Sequence, residues 1–286
     1  MNRTSWQLWR AQVRGLMRIE LKRNFLAKRA LWIYLLALAP VAIFGIGTLV
    51  QSGRHLTPGI GRGTHAFAAA FQIFFLRFVV FFGCAGVFLN LLHGEILDKS
   101  LHFYFLAPIR REVLLAGKYL TGWVAASVIF CLSVVLQFAA LYSFYDSSTI
   151  HHFLFQGHGW EQLAAYLGVT ILACAGYGSV FLFLGVLFRN AVVPAIAVLI
   201  WEIVSGYLPP LLQKLSVIYY LKSLCPIQVV TTSLGGSNPS PLSLFTFNPE
   251  PAGAVAAIIG LLIVIGVLLA AASLRLRRME IDYGVE

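Results

Sequence analysis

Six long apolar runs constrain this chain more than any other feature of its sequence. Each is at least 20 residues long, enough for a helix to cross the ~30 Å hydrocarbon core of a bilayer. Over the whole chain 59% of residues are hydrophobic and 11% are charged, whereas roughly a quarter of the residues in soluble domains are charged. We therefore predict an all-α polytopic membrane protein, a single transmembrane domain over 1–286 with six transmembrane helices. The predicted spans are 30–50, 67–93, 119–145, 162–188, 191–212 and 253–274.

The Lys and Arg residues are unevenly distributed between the two sides of these spans. Sixteen of the 21 lie on the side that holds both chain ends, and four lie on the opposite side. Because Lys and Arg accumulate in cytoplasmic segments of membrane proteins, both termini are predicted to be cytoplasmic, including the tail 275–286. The net charge of +10 is explained by this orientation in a cell inner (cytoplasmic) membrane, and no nucleic acid is expected as a partner.

Residues 1–29 precede the six-span bundle of 30–274 and show the pattern of an interfacial helix. Basic side chains recur every four residues and so share one helix face, while two tryptophans fall largely on the other. A basic amphipathic helix of this kind lies in the headgroup plane and contacts membrane lipids. The alternative is a solvated tail beside the first span. The residues concerned are Trp6, Trp9, Arg10, Arg14, Arg18 and Lys22.

The connection between the second and third spans, 94–118, is both charged and patterned. Its charged residues are expected to keep it in water, and its short apolar run has no evident partner within the chain. Pro108 interrupts it, because proline lacks a backbone N–H and restricts the residue before it. We predict a short amphipathic helix with a docking face, a break, and a second helix that enters the membrane. The charged residues are Glu95, Asp98, Lys99, Arg110, Arg111, Glu112 and Lys118, and the apolar run is Leu101, Phe103, Tyr104, Phe105 and Leu106.

The residue order in this segment resembles the loop between the second and third spans of type-2 ABC exporter permeases. That loop holds an acidic residue, a few polar residues, a Ser/Thr-Leu pair, a short apolar run, a proline, a basic or polar pair, and an apolar run that ends in Gly-Lys. The chain matches this order over 94–118, although its first apolar run is more aromatic than the leucine-rich run of the family. The matching residues are Glu95, Asp98-Lys99, Ser100-Leu101, 103–106, Pro108, Arg110-Arg111, 113–115 and Gly117-Lys118.

The resemblance implies that this segment is a coupling helix that docks an ATP-binding subunit. The chain would then be the permease subunit of an ATP-driven exporter. Two copies of the ATP-binding subunit would bind ATP and Mg, and a second permease subunit would complete a homodimer or heterodimer. The resemblance also implies a re-entrant segment between spans five and six, and no cofactor in this chain. The docking residues would be Glu95, Asp98, Leu101, Phe103, Phe105, Leu106, Pro108, Arg110 and Arg111.

Catalytic and metal-binding patterns are absent from the sequence. Gly117-Lys118 is followed by Tyr119 and lacks the upstream glycine of a phosphate-binding loop. ATP hydrolysis is therefore assigned to a separate subunit, and the chain is not predicted to be an enzyme. His151, His152 and His158 fit no standard metal-ligand spacing and are expected in a solvated loop.

Two charged residues fall inside predicted spans, where charge is costly and usually functional. At 1.5 Å per residue, Glu202 lies about 18 Å and Arg77 about 27 Å from the cytoplasmic ends of their helices. Glu202 is predicted to face the subunit interface or the translocation route, or else to be neutral or hydrogen-bonded at a helix contact. Arg77 either approaches Glu202 or reaches the outer interface with its long side chain.

Two other function classes remain as alternatives: a stand-alone secondary transporter and a polytopic membrane enzyme. Secondary transporters usually show repeat symmetry and several ionisable groups near the middle of the membrane, whereas an intramembrane enzyme needs paired catalytic groups at one depth. Neither class explains the apolar run at 103–106. Lipids, lipid-linked glycans, peptides and drugs are all compatible as substrates with spans this apolar, and so is a role in cofactor assembly.

Overall fold

The computed structural model describes residues 15, 31–53, 59–97, 111–143, 145–155, 157–188, 192–227 and 253–278. All regular structure in these residues is helical. Five of the helices are long and apolar enough to cross a membrane, and the chain is therefore a multi-pass helical membrane protein. This confirms the predicted class of protein.

The first two crossings differ in regularity. Helix α1 is Leu31–Gly53. The second crossing consists of α2 (Ile60–Ala70), a π-helical segment (Phe71–Val80) and α3 (Phe81–Leu97). π-Helical geometry is rare, usually limited to single turns, and frequent at functional sites. A π-helical segment of ten residues is therefore unusual. It marks the stretch that carries Arg77 as a candidate functional region.

The centre of the bundle is the fourth crossing. Helix α4 (Arg111–Tyr142) leads to a short helix, α5 (Ser147–Phe155), and then to the fourth crossing, α6 (Gly159–Leu187). In its most apolar stretch α6 is 78% buried, against 22% for the first crossing and 17% for the last. Aromatic rings fill the space around α6, and Phe71 packs against Tyr166 with ring centroids 4.7 Å apart.

The predicted fifth span, 191–212, is interrupted in the structure. Helix α7 (Val192–Val204) has 13 residues, about 20 Å of helix, which is too short to cross a ~30 Å core. A 3₁₀ turn (Ser205–Tyr207), a short helix α8 (Pro210–Gln213) and a further helix α9 (Val217–Ser223) follow it. The sequence-based expectation of one continuous fifth helix is therefore not met.

Local sequence explains the interruption. Ser205 Oγ donates to the Glu202 carbonyl at 3.0 Å, and hydrogen bonds of this kind compete with the regular helix. Pro209 and Pro210 have no backbone N–H to donate, and Pro210 occupies the first turn of α8, where proline is tolerated.

The other five predicted spans coincide with helices. Several of these helices extend a few residues beyond the predicted ends of the spans. The last crossing is α10 (Ala254–Arg278). Helix α4 begins at Arg111, eight residues before the predicted third span. As a result, Lys118 belongs to a crossing helix instead of the preceding loop.

Several predicted site residues lie outside the described part of the chain. Glu95 is in α3, and Arg111 is the first residue of α4. The other residues assigned to docking and to the interfacial helix are not among those described: Trp6, Trp9, Arg10, Arg14, Arg18, Lys22, Asp98, Leu101, Phe103, Phe105, Leu106, Pro108 and Arg110.

Candidate functional site at the break between α7 and α9

Glu202 lies near the end of α7 and is only 2% exposed. Its carboxylate accepts three hydrogen bonds. Ser216 Oγ donates to Oε2 at 2.6 Å, and the backbone N–H groups of Val217 and Ile218 donate to Oε1 and Oε2 at 3.0 and 3.1 Å. The donors come from a segment 14 to 16 residues further along the chain.

The carboxylate caps the start of α9. Val217 and Ile218 are the first two residues of this helix, and the first N–H groups of a helix have no partner within it. The partial positive charge at a helix N-terminus also favours an anionic group. Ser216 occupies the N-cap position, but its hydroxyl makes no capping bond and donates to Glu202 instead. Charge-assisted hydrogen bonds therefore join α7 to α9.

Two serines close the loop between these helices. The single hydroxyl hydrogen of Ser205 is shared between the Glu202 carbonyl and Ser216 Oγ. The Ser216 oxygen lies 3.2 Å from Ser205 Oγ, although the two residues are 11 positions apart. The intervening residues leave the cluster and return to it. Gln213 stabilises this connecting segment, because its Nε2 donates to the Leu208 carbonyl at 2.8 Å. Leu211, which lies in the same connecting segment, points away from the core and is 79% exposed.

Charged and polar side chains of three other helical segments surround Glu202. Arg77 of the π-helical segment is 3% exposed and lies within electrostatic range of Glu202. Lys222 of α9 and Tyr177 of α6 also lie within electrostatic range of Glu202. The buried Tyr177 hydroxyl has no hydrogen-bond partner among the described residues. We call Glu202, Ser205, Ser216, Arg77, Tyr177 and Lys222 the polar cluster.

The chain just beyond α9 is bonded to the π-helical segment. Gln72 Nε2 donates to the carbonyl of Ile227 at 2.6 Å, across 155 residues of sequence. Gln72 is 5% exposed and lies in the same π-helical segment as Arg77. The π-helical segment therefore holds the chain that leaves α9 and carries Arg77, which lies within electrostatic range of Glu202.

Glycines let α9 pack closely against two crossings. A Cβ atom at Gly176 of α6 would lie 2.8 Å from Val217 Cγ1, and one at Gly260 of α10 would overlap the ring of Tyr220. Gly176 lies near the middle of α6. The polar cluster therefore sits near the middle of the bundle, where a buried charge needs compensation most.

A second buried charge joins α3 to α4. Lys118 is 1% exposed, and its Nζ donates to the Leu91 carbonyl at 3.0 Å. The prediction that Lys118 is kept in water is therefore wrong, because α4 begins earlier than expected and carries this residue into the bundle. Close by, the ring of Phe88 of α3 fills the space beside Gly122 of α4.

The predicted outer end holds an open cavity of about 480 Å³ lined by Ile60, Thr149, His152, Phe153 and Gly157. Its lining has one ionisable group, His152, which is exposed. In the ranges that the structure describes, no group of three or more His, Cys, Asp or Glu residues is placed to hold a metal ion.

The structure brings the two predicted intramembrane charges, Arg77 and Glu202, into one cluster. Sequence reasoning did not single out Ser205 or Ser216 as parts of a site. A signal for Ser216 was present, since a serine directly before an apolar run is typical of a helix N-cap. No local pattern predicts that its hydroxyl serves Glu202 instead.

No family model and no curated protein matches this chain. The class of this protein is therefore assigned from its fold alone. The chain is a multi-pass helical membrane protein in which an acidic residue, buried at a break between two helices, caps the second of them.

Proposed function

We propose that this chain is the permease subunit of an ATP-driven type-2 ABC exporter. The observation that carries the proposal is the pattern of 94–118, which includes the end of α3, the connection 98–110 and the start of α4. The described parts of these two helices are fastened to each other next to that connection by the Lys118–Leu91 hydrogen bond and by Phe88 against Gly122.

Through these contacts between α3 and α4, a movement of the proposed coupling segment can be transmitted to the membrane-spanning helices. A force on a loop is transmitted well only when the helices on either side move as one body, as in other hinge and shear transitions. The charged hydrogen bond and the close ring contact tie α3 to α4. The ring of Phe88 also fills the space beside Gly178 of α6, at the centre of the bundle.

The rest of the assembly follows from this proposal. Two ATP-binding subunits bind ATP and Mg and dock on the coupling segments of two permease subunits. The membrane domain has six crossings. We place α9 with α7 in a discontinuous fifth crossing, in place of the re-entrant segment that the resemblance implies between the fifth and sixth crossings. Both termini face the cytoplasm, and the chain resides in the inner membrane.

The test is co-purification with the ATP-binding subunit. Phe105→Asp and Leu106→Asp should abolish co-purification, because a carboxylate on the docking face disrupts an apolar contact. Phe155→Asp is the matched control, since Phe155 is a 66% exposed phenylalanine on α5, at the predicted outer end. A complex that survives Phe105→Asp and Leu106→Asp intact overturns the proposal.

A stand-alone secondary transporter is the second candidate, and one observation favours it. Such carriers bind substrate and coupling ions where interrupted helices meet near mid-membrane, and the polar cluster lies at such an interruption. The chain alone, reconstituted in liposomes with a pH-sensitive dye inside, would then show proton flux that Glu202→Gln reduces. The exporter proposal instead expects no flux from the isolated chain.

A further inference from the structure

The two parts of the discontinuous fifth segment differ in how firmly they are packed. Helix α9 buries four of its seven residues, Val217, Ile218, Tyr220 and Leu221. Helix α7 is longer, yet among its described side chains only Ala195 and Glu202 are buried. Its exposed apolar stripe consists of Val193, Ile196, Ile200 and Val204.

Three crossings hold α9 in place. Val217 and Tyr220 occupy the spaces beside Gly176 of α6 and Gly260 of α10, and Gln72 of the second crossing holds the chain just beyond α9. These contacts are short-range and mutually supporting. Closely packed elements of this kind respond as a unit and do not deform gradually.

Helix α7 has a different attachment. Val198 and Leu199 pack partly against the core, but the polar contacts of its second half run through Glu202 to α9. In a low-dielectric interior such bonds are strong when complete.

The last crossing, α10, also buries few side chains, but Gly260 and Leu261 of α10 pack directly against Tyr220 and Gly176. No residue of α7 makes a glycine contact of this kind with the described residues, and weakly packed elements open more easily than the rest of a structure.

We propose that the fifth segment is a two-part element in which α9 is fixed, α7 moves, and the Glu202 carboxylate is the latch between them. Together the two helices hold 20 residues, about 30 Å of helix, and the residues from Ser205 to Ser216 act as the hinge. Release of the three hydrogen bonds frees α7 to swing while α9 stays with α6 and α10. The inference holds for either candidate function, because it concerns the chain's own motion.

The test measures distances between spin labels by double electron–electron resonance in the full chain in lipid nanodiscs. Cys84, Cys131, Cys174 and Cys225 are first replaced by alanine. One label pair is Ile196→Cys with Ile263→Cys and reports α7 against α10. A second pair is Ser223→Cys with Ile263→Cys and reports α9 against the same frame. Labelled chains are diluted with unlabelled ones, so that only distances within one chain are measured.

Glu202→Ala should shift or broaden the α7 distance by about one helical turn, ~5 Å, and leave the α9 distance unchanged. Glu161→Ala is the matched control, since Glu161 is an exposed carboxylate on α6, and it should change neither distance. The latch is refuted if both distances broaden together in Glu202→Ala, or if neither changes.

A milder variant keeps the inference testable if Glu202→Ala does not fold. Ser216→Ala removes one donor and retains the two backbone donors. It should broaden the α7 distance less than Glu202→Ala, again without a change at α9. An α7 distance identical to that of the parent chain in Ser216→Ala would overturn the inference.

Discussion

Glu202 and Lys118 are charged side chains with 2% and 1% exposure, and each bonds to backbone groups of another helix. Burying a charge is costly unless hydrogen bonds and opposite charges replace its water. For Glu202 the hydrogen bonds come from the Ser216 hydroxyl and from the first two backbone N–H groups of α9. For Lys118 they include the bond to the Leu91 carbonyl. Both residues therefore connect helices, and their substitution should affect more than local charge.

Glu202→Gln should assemble with the ATP-binding subunit but alter transport or substrate-stimulated ATP hydrolysis. Glutamine keeps the shape, but one carboxylate oxygen becomes an NH₂ group that cannot accept from the donors of α9. The loss of one such bond costs about 1–3 kcal/mol. Complex yield and ATP hydrolysis are the measurements. Wild-type values for both, in a fully assembled variant, would show that the polar cluster has no role in coupling.

Lys118→Met should lower the thermal stability of the chain in detergent by about 1–3 kcal/mol, because it keeps the aliphatic stem and removes a charged donor. The control is Lys214→Met, since Lys214 is exposed and the bond that it accepts from Tyr220 goes to its backbone carbonyl, which the substitution retains. Equal melting temperatures for the two variants would show that the Lys118–Leu91 bond contributes nothing to stability.

Among the elements, α9 is short but well anchored. A helix of seven residues is not stable alone, and its order comes from the cap supplied by Glu202 and from the glycine spaces in α6 and α10. These glycines allow backbones to approach, as small residues commonly do between membrane helices. The position of α9 therefore depends both on the space that the glycines of α6 and α10 leave for it and on its hydrogen bonds to Glu202.

Gly260→Ala tests this packing. The added methyl group would overlap the Tyr220 ring, and overpacking typically costs about 1–3 kcal/mol. Gly266→Ala is a matched control on the same helix, because nothing lies within 4 Å of a Cβ at that position. Thermal unfolding should show a loss for Gly260→Ala and no loss, or a small gain, for Gly266→Ala. Equal stabilities would argue against a close fit of α9.

At the scale of the whole molecule, α6 forms the centre and α1 and α10 lie at the periphery. The peripheral helices expose large apolar side chains such as Leu35, Ile46, Ile263 and Val267. Exposed apolar surface suits a protein whose surroundings are lipid tails, where no hydrophobic force drives helices together.

The predicted orientation is tested by cysteine labelling in intact cells. Asp146 and Arg275 are both exposed and are predicted to lie on opposite sides of the membrane. With the native cysteines replaced by alanine, Asp146→Cys should react with a membrane-impermeant maleimide from outside. Arg275→Cys should react only after the membrane is permeabilised. The reverse pattern would overturn the orientation predicted from the Lys and Arg distribution.

The sequence by itself determined the membrane class and the approximate position of five crossing helices. The length and apolarity of a run are local properties, and a bilayer requires each crossing to satisfy its own backbone hydrogen bonds. The sequence also located Glu202 and Arg77 as charges within spans, because charge there is rare.

Only the tertiary structure decided how those charges are accommodated. The donors to Glu202 lie 14 to 16 residues away and become available because α7 stops and α9 starts beside it. Lys118 is buried because α4 begins at Arg111 and brings it against Leu91 of α3. A hydrogen bond between distant segments depends on where both chains turn, and residue order alone does not specify that geometry.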